Sequence, residues 1–223
     1  MMKKLVIFDL DGTLINTISD LATSTNVALQ ACGFPTHQLE EYPFFVGNGV
    51  NKLFERALPE GEKTPENKLR IRTIFLNHYN LHDTDLSKPY PGIVELLTLL
   101  QNEGFILAVA SNKYQEATSK IIKKLLPQIE FKAILGQREN IPIKPDPRII
   151  YDLLALTNCT AEEAFFVGDS GVDMETALKA QIKACGVTWG FRPRAELATF
   201  NPAYLVDEPA EVYESLCKEN KNS

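Results

Sequence analysis

Two aspartates, Asp9 and Asp11, end a run of four apolar residues, Leu5-Val6-Ile7-Phe8, and Gly12-Thr13 follow at once. Other apolar runs are followed by Ser111-Asn112-Lys113, by Lys144-Pro145, and by Gly168-Asp169-Ser170 with Asp173 beyond. Carboxylates gathered at one place repel each other and any anion. A hard divalent cation such as Mg2+ resolves the conflict, because it takes oxygen ligands and bridges to phosphate oxygens. Asp9 and Asp169 are the natural side-chain ligands, with Asp173 beside or behind them. Lys144 supplies a point positive charge for a phosphoryl group. The Ser111 hydroxyl and backbone N–H groups near it can bond the same oxygens as charge redistributes. Gly12 lets the main chain approach a phosphate closely. One aspartate of the Asp9/Asp11 pair can attack phosphorus while the other handles a proton. An aspartate ionises at about 3.9, so Asp11 acts as an acid only if its surroundings keep it protonated. Attack by Asp9 would split a hydrolysis into two easier displacements.

These residues need a frame that brings four separated segments to one edge. Short apolar runs at 5–8, 105–110, 131–135 and 164–167 read as buried parallel strands. A fifth, 182–187, is interrupted by Lys183 and Gly186. Helical patterns lie between them. One is expected to open at Pro91 with Ile93, Val94, Leu96, Leu97, Leu99 and Leu100 on its apolar face. Thr160-Ala161-Glu162-Glu163 has capping-box spacing but room for only a short turn. Alternating strands and helices predict a Rossmann-like α/β fold, and such sheets bind ligands beyond the carboxyl ends of their strands. Asp9 and Asp11, two residues apart on an extended strand end, would face the same side.

Residues 17–89 break the alternation. Leu21, Ala22, Val27, Ala28 and Leu29 suggest one helix, Val50, Leu53, Phe54 and Ala57 a second, and Leu69, Ile71, Ile74, Phe75 and Tyr79 a third, with no convincing strand. We therefore expect a helical domain at 17–89 inserted into a core made of 1–16 and 90–223, with Lys88-Pro89-Tyr90-Pro91-Gly92 marking the return. The polar tail, Lys218–Ser223, is expected to fray.

Bulk properties exclude several classes. A net charge of −6 argues against nucleic acid, which needs a basic face. The apolar run after Met1-Met2-Lys3-Lys4 stops at Asp9, far short of a signal segment, and no run is long enough to span a membrane. The expectation is a cytoplasmic protein. Four scattered cysteines (Cys32, Cys159, Cys185, Cys217) form no zinc pattern and are expected as free thiols.

The motifs together resemble the haloacid dehalogenase superfamily. Phe8-Asp9-Leu10-Asp11-Gly12-Thr13-Leu14 resembles its first motif. Ser111-Asn112, Lys144-Pro145 and Gly168-Asp169-Ser170-Gly171-Val172-Asp173 resemble the second, third and fourth, in order. The helical insertion stands where that superfamily carries its type 1 cap. The resemblance implies a phosphatase with Asp9 as nucleophile and Asp11 as acid/base. It implies Mg2+ held by Asp9, the backbone carbonyl of Asp11, and Asp169, with Asp173 assisting. It places Gly12, Ser111, Asn112 and Lys144 at the phosphoryl group. The expected partner is a small phosphorylated metabolite, with no nucleic acid and no membrane, the chain acting as monomer or homodimer.

Finer features are similar to the phosphoglycolate phosphatase branch: Val46-Gly47-Asn48-Gly49 with Glu55-Arg56-Ala57-Leu58 after it, Pro89-Tyr90-Pro91-Gly92, Asn112-Lys113, Lys144-Pro145-Asp146-Pro147 and Val187-Thr188-Trp189-Gly190-Phe191. Ser111 stands where that branch commonly has threonine, and both carry the hydroxyl. On this resemblance Gly47, Asn48, Gly49 and Arg56 are candidate substrate contacts from the cap, and 2-phosphoglycolate is the expected substrate. The same site could serve a pyrophosphatase or a sugar phosphomutase, or be kept by a non-catalytic phosphate binder. A carbon–halogen hydrolase would lack the second aspartate. Simpler readings compete at single residues. Ser111 could cap a helix, Lys113 and Arg56 could be solvated, and Gly47-Asn48-Gly49 could be only a turn. His37, His78 and His82 match no ligand spacing.

Overall fold

The structure is a computed structural model that describes residue 2 and residues 4–221. Six strands form one parallel sheet: β1 (Leu5–Phe8), β4 (Ile106–Tyr114), β5 (Ala133–Gln137), β6 (Ala164–Gly168), β7 (Lys183–Val187) and β8 (Tyr204–Val206). Their order is β5-β4-β1-β6-β7-β8, with β1 in the middle. Two short strands outside this sheet, β2 (Ile15–Asn16) and β3 (Lys88–Pro89), pair antiparallel.

Strand side chains alternate between faces, and here both faces are covered. Val6, Phe8, Phe165 and Val167 enter one buried cluster, with α5 (Ile93–Asn102), α6 (Gln115–Leu125) and α10 (Pro209–Lys221). Leu5, Ile7, Ala164 and Phe166 enter the other, with α7 (Arg148–Thr157), α8 (Gly171–Lys179) and α9 (Arg194–Ala198). That double burial is why β1 and β6 read as unbroken apolar runs rather than alternating ones.

Between β2 and β3 lie α1 (Ile18–Ala31), α2 (Tyr42–Phe45), α3 (Val50–Ala57) and α4 (Pro65–His82). They share a third core, built on Leu21, Leu29, Tyr42, Phe54, Ile71, Phe75 and Tyr79. The start of α4 is written locally: Pro65 opens it, and the Thr64 hydroxyl accepts the Asn67 N–H at 3.2 Å. The buried Asp20 carboxylate accepts the N–H groups of Leu86 and Ser87 and the Ser87 hydroxyl. It thereby ties the returning chain to α1 just before β3.

Several details differ from the sequence reading. Helix α5 begins at Ile93, not Pro91, because Gly92 adopts a left-handed φ of 84° that interrupts the helix. Lys88–Pro89 is a strand, recognisable only by its pairing with Ile15–Asn16. Leu69 and Leu99 are exposed, at 64% and 38%, so they do not belong to the buried stripes of their helices. Strand β4 runs on through Ser111-Asn112-Lys113 to Tyr114, with an irregular register against β5 after Ala110. Strand β8 and helix α10 lacked a clear signal. The expected fraying does not hold for residues 218–221: α10 extends to Lys221, and its buried Glu219 accepts hydrogen bonds from Lys183 and Tyr204. Asn222 and Ser223, like Met1 and Lys3, lie outside the described residues. The short turn at Thr160–Glu163 is as expected, the Glu163 carboxylate accepting the Thr160 N–H. Among the described residues no helix is long and apolar enough to cross a membrane.

Candidate active site

The carboxyl ends of β1, β4 and β6 are neighbours in the sheet, so Asp9, Ser111 and Asp169 meet there. Lys144 arrives from the loop after β5 rather than from the strand itself. Its ammonium is buried, 2.9 Å from Asp9, 2.6 Å from Asp173 and 2.8 Å from the Ala110 carbonyl. Asp9, Asp169 and Asp173 each offer a carboxylate oxygen within 4.8 Å of the others, and all three are buried. Asp173 holds a double position. One oxygen faces Lys144, and the other accepts the Ser170 hydroxyl and N–H, closing the cap of α8.

The electrostatics of this cluster call for another positive charge. Burial raises the Asp9 carboxyl well above its usual range against the pull of Lys144, and the Asp173 and Asp169 charges raise it further. Burial and the Asp173 charge push Asp169 up to about 7, although the Phe191 N–H and Thr13 hydroxyl bond it. Burial alone would lower Lys144, but Asp173 and Asp9 overcome it and hold the ammonium's pKa above its usual value. One lysine among three buried carboxylates leaves an excess of negative charge, and an all-oxygen donor set is what a hard divalent cation takes. The residues fit such an ion. The Asp11 carboxylate is not part of this cluster.

Asp11 lies across the site. It accepts the Thr17 hydroxyl at 2.6 Å and the Lys113 ammonium at 2.9 and 3.0 Å. Both partners donate, so both Asp11 carboxylate oxygens accept hydrogen bonds. The Thr17 hydroxyl can turn to accept, and is the partner a protonated Asp11 would use.

Asp9, Asp11, Ser111, Asn112 and Lys113 line a small cavity that the helical insertion covers with Leu21, Val46, Leu53, Phe75 and Tyr79. Gly47 and Gly49 also line it. Asn48 and Arg56 do not. Arg56 is turned onto the carbonyls of Phe44 and Phe45 and the Asn48 side chain, which it ties together. The Asn112 side chain acts as a brace. Its amide donates to the carbonyls of Gly47 and Lys144 and accepts the Lys144 N–H. Ser111 sits within β4 and accepts the Lys113 N–H at 3.2 Å, so it caps no helix. Gly12 has φ of 93°, and a Cβ there would overlap the Asp169 carboxylate. Of the three histidines, His37 bonds Glu41 and the Ala57 carbonyl, His78 bonds Ser24, and His82 bonds Asp85.

Sequence reasoning missed the loop after β7. The Trp189 indole donates to the Thr13 carbonyl, the Phe191 N–H donates to Asp169 at 2.7 Å, and Arg192 donates to the carbonyls of Pro43 and Val46 in the insertion. Gly190 has no room for a side chain between Asp169 and the Gly12 carbonyl. The Trp189-Gly190-Phe191 triplet was visible in the sequence, but nothing local shows that it seats one aspartate and grips the helical segment at once. Thr13 and Thr17 were likewise hidden, because each acts through a carboxylate brought to it by folding.

Residues 6–187 match the family described as haloacid dehalogenase-like hydrolase. A phosphoglycolate phosphatase of Mesorhizobium japonicum is 33% identical over 92% of this chain and 91% of its own length. That of Vibrio cholerae is 31% identical over 92% and 93%. The crystal structure of a Lactobacillus delbrueckii subsp. bulgaricus protein matches with a TM-score of 0.91 at 28% identity, covering 97% of this chain and 99% of that one. The chain belongs to the haloacid dehalogenase-like hydrolases. Within that family it is a phosphatase.

Proposed function

We propose that this phosphatase hydrolyses a small phosphomonoester, 2-phosphoglycolate, through a phosphoryl group carried on Asp9. The observation that carries the chemistry is the buried cluster of Asp9, Asp169 and Asp173, with Lys144 paired to Asp9 and Asp173 and with Asp9 lining a cavity beside Asp11 and Ser111. The substrate is drawn from the names of the full-length relatives. The cavity is small and roofed by apolar side chains of the helical insertion, which suits a compact ester.

In this reading an Asp9 carboxylate oxygen attacks phosphorus and the bond to the leaving oxygen breaks. Asp11 gives that oxygen a proton. Water then attacks the same phosphorus and passes a proton to Asp11, and the bond to Asp9 breaks, restoring both carboxyl groups. Lys144 and the Ser111 hydroxyl hold the phosphoryl oxygens. Asp9 and Asp169, the Asp11 carbonyl and, behind them, Asp173 would hold Mg2+. Bound there, the ion neutralises the carboxylates and polarises the phosphoryl oxygens. Residues 17–89 serve as a cap on the core of 1–16 and 90–223, excluding bulk water, and Arg192 and Asn112 hold it down.

Phosphate release from a panel of 2-phosphoglycolate, pyrophosphate, nucleoside monophosphates, sugar phosphates and an aryl phosphate tests this. The strongest release is expected from 2-phosphoglycolate, and it should stop with chelator. Release that persists in chelator would remove the metal, and a stronger response to another ester would remove the substrate.

A stability measurement tests the metal separately. Asp169 is raised to about 7, so the folded metal-free chain keeps a proton there that the unfolded chain has released. Stability of the chelated chain should therefore fall as pH rises from about 4 to about 7. Mg2+ should raise Tm more at about pH 7.5 than at about pH 5, where protons already occupy the carboxylates. The reverse order would place the ion elsewhere.

A further inference from the structure

We propose that Lys113, with the Tyr79 hydroxyl, binds a carboxylate on the substrate's leaving group and so sets which phosphomonoesters the enzyme accepts. This rests on the phosphatase reading above and deepens it.

Four observations carry the inference. First, Lys113 is the one basic residue among the described residues that line the cavity. Lys144 is engaged by Asp9 and Asp173, while Arg56 and Arg192 are engaged by backbone carbonyls of the helical insertion. Second, Lys113 lies two residues after Ser111 on β4. The strand that offers a hydroxyl to the phosphoryl group thus offers the cation to what hangs from it. Third, the Lys113 ammonium directs two hydrogen bonds to Asp11 and lies 5.0 Å from the centre of the Tyr79 ring. An ammonium has three N–H donors, so one is left for a ligand. Fourth, the Tyr79 hydroxyl is buried and has no hydrogen-bond partner among the described residues. An orphaned buried hydroxyl is costly unless something completes it.

The spare Lys113 N–H, with the unpartnered hydroxyl of Tyr79, a residue that lines the same small cavity, suits a compact oxyanion. Lys113 bonds Asp11, the group that protonates the leaving oxygen in the reading above, so an anion on Lys113 lies close to the ester oxygen, as a carboxylate one carbon away does. A neutral leaving group would leave both donors unmet, and selectivity built on polar groups left unpaired by the wrong substrate is strong.

The test compares kcat/KM for 2-phosphoglycolate with that for 2-hydroxyethyl phosphate, a similar ester without the carboxylate, with Mg2+ saturating. The native chain should prefer the carboxylate ester, chiefly through KM. Lys113→Met should lower that preference by about 10- to 100-fold. Tyr79→Phe, which removes no existing hydrogen bond, should lower it by about 3- to 10-fold. The ratio matters because any disturbance of Asp11 slows both esters alike. A native chain with no preference, or a ratio unchanged in either folded variant, would overturn the assignment. Failure of the native chain to turn over either ester would instead overturn the 2-phosphoglycolate reading, and this one with it.

Discussion

Replacing Asp9 by asparagine is expected to lower kcat by at least about 10⁴-fold, the scale on which nucleophile removal acts in enzymes with covalent intermediates. The amide is almost the same size, so the fold should survive. It should even gain, because Asp9 is buried among two like charges and its ionised form is held at a cost. Mg2+ should bind more weakly, since one anionic donor becomes neutral. The informative combination is lost turnover with an unchanged or raised Tm. Phosphate release surviving the substitution would remove Asp9 as the attacking group. Loss of turnover together with loss of folded protein would leave the site's charge balance misjudged. Trapping labelled phosphoryl on the native chain but not on the variant would place the bond on Asp9 directly.

Lys144→Met is expected to produce the largest loss of stability. The side chain has nearly the same length and no charge, so packing changes little. What is lost is the ammonium that lies 2.9 Å from Asp9 and 2.6 Å from Asp173 while itself only 2% exposed. Removing one partner from a buried ion pair typically costs about 3–5 kcal/mol, because the other charge is left in a poor solvent. The sign with pH follows. Burial already raises the Asp9 carboxyl against the pull of Lys144, so without Lys144 the folded chain holds a proton there more firmly still, and more firmly than the unfolded chain does. The deficit should therefore shrink as pH falls towards about 5, and Mg2+ should recover part of it near neutrality. Urea unfolding at the two pH values, with and without Mg2+, measures this. An equal deficit under all four conditions would mean that the loss does not come from the charges left on Asp9 and Asp173. Turnover should also fall sharply, since the phosphoryl oxygens lose their cation.

The motifs were legible because the chemistry is written in short segments. Phe8-Asp9-Leu10-Asp11-Gly12-Thr13 and Gly168-Asp169-Ser170 each place a carboxylate at the end of an apolar strand, and a parallel sheet brings such ends together whatever the intervening chain does. The helical character of the insertion was legible for a similar reason. Amphipathic periodicity is local, and the Leu53-Phe54-Ala57 and Ile71-Phe75-Tyr79 patterns became buried faces. The parallel sheet and its covering helices follow from the alternation of short apolar runs with amphipathic ones, while the central place of β1 is set by strand pairing.

The partners of these residues were not legible, because charge pairing and burial depend on distance in space. Lys113 could be functional or solvated on the sequence, and its contact with Asp11 spans 102 residues of sequence. Arg56 looked like a substrate contact, and folding turned it onto the carbonyls of its own segment. Asn112 seemed free to meet a phosphate, yet the loop that carries Lys144 consumes its amide. Glu219 sits in a tail polar enough to fray, but Lys183 and Tyr204 from the last two strands hold it. Local spacing thus settled which groups exist and which strand ends present them. The meeting of the sheet, the insertion and the loop after β7 settled what each carboxylate faces, because only there do burial and neighbouring charge acquire values.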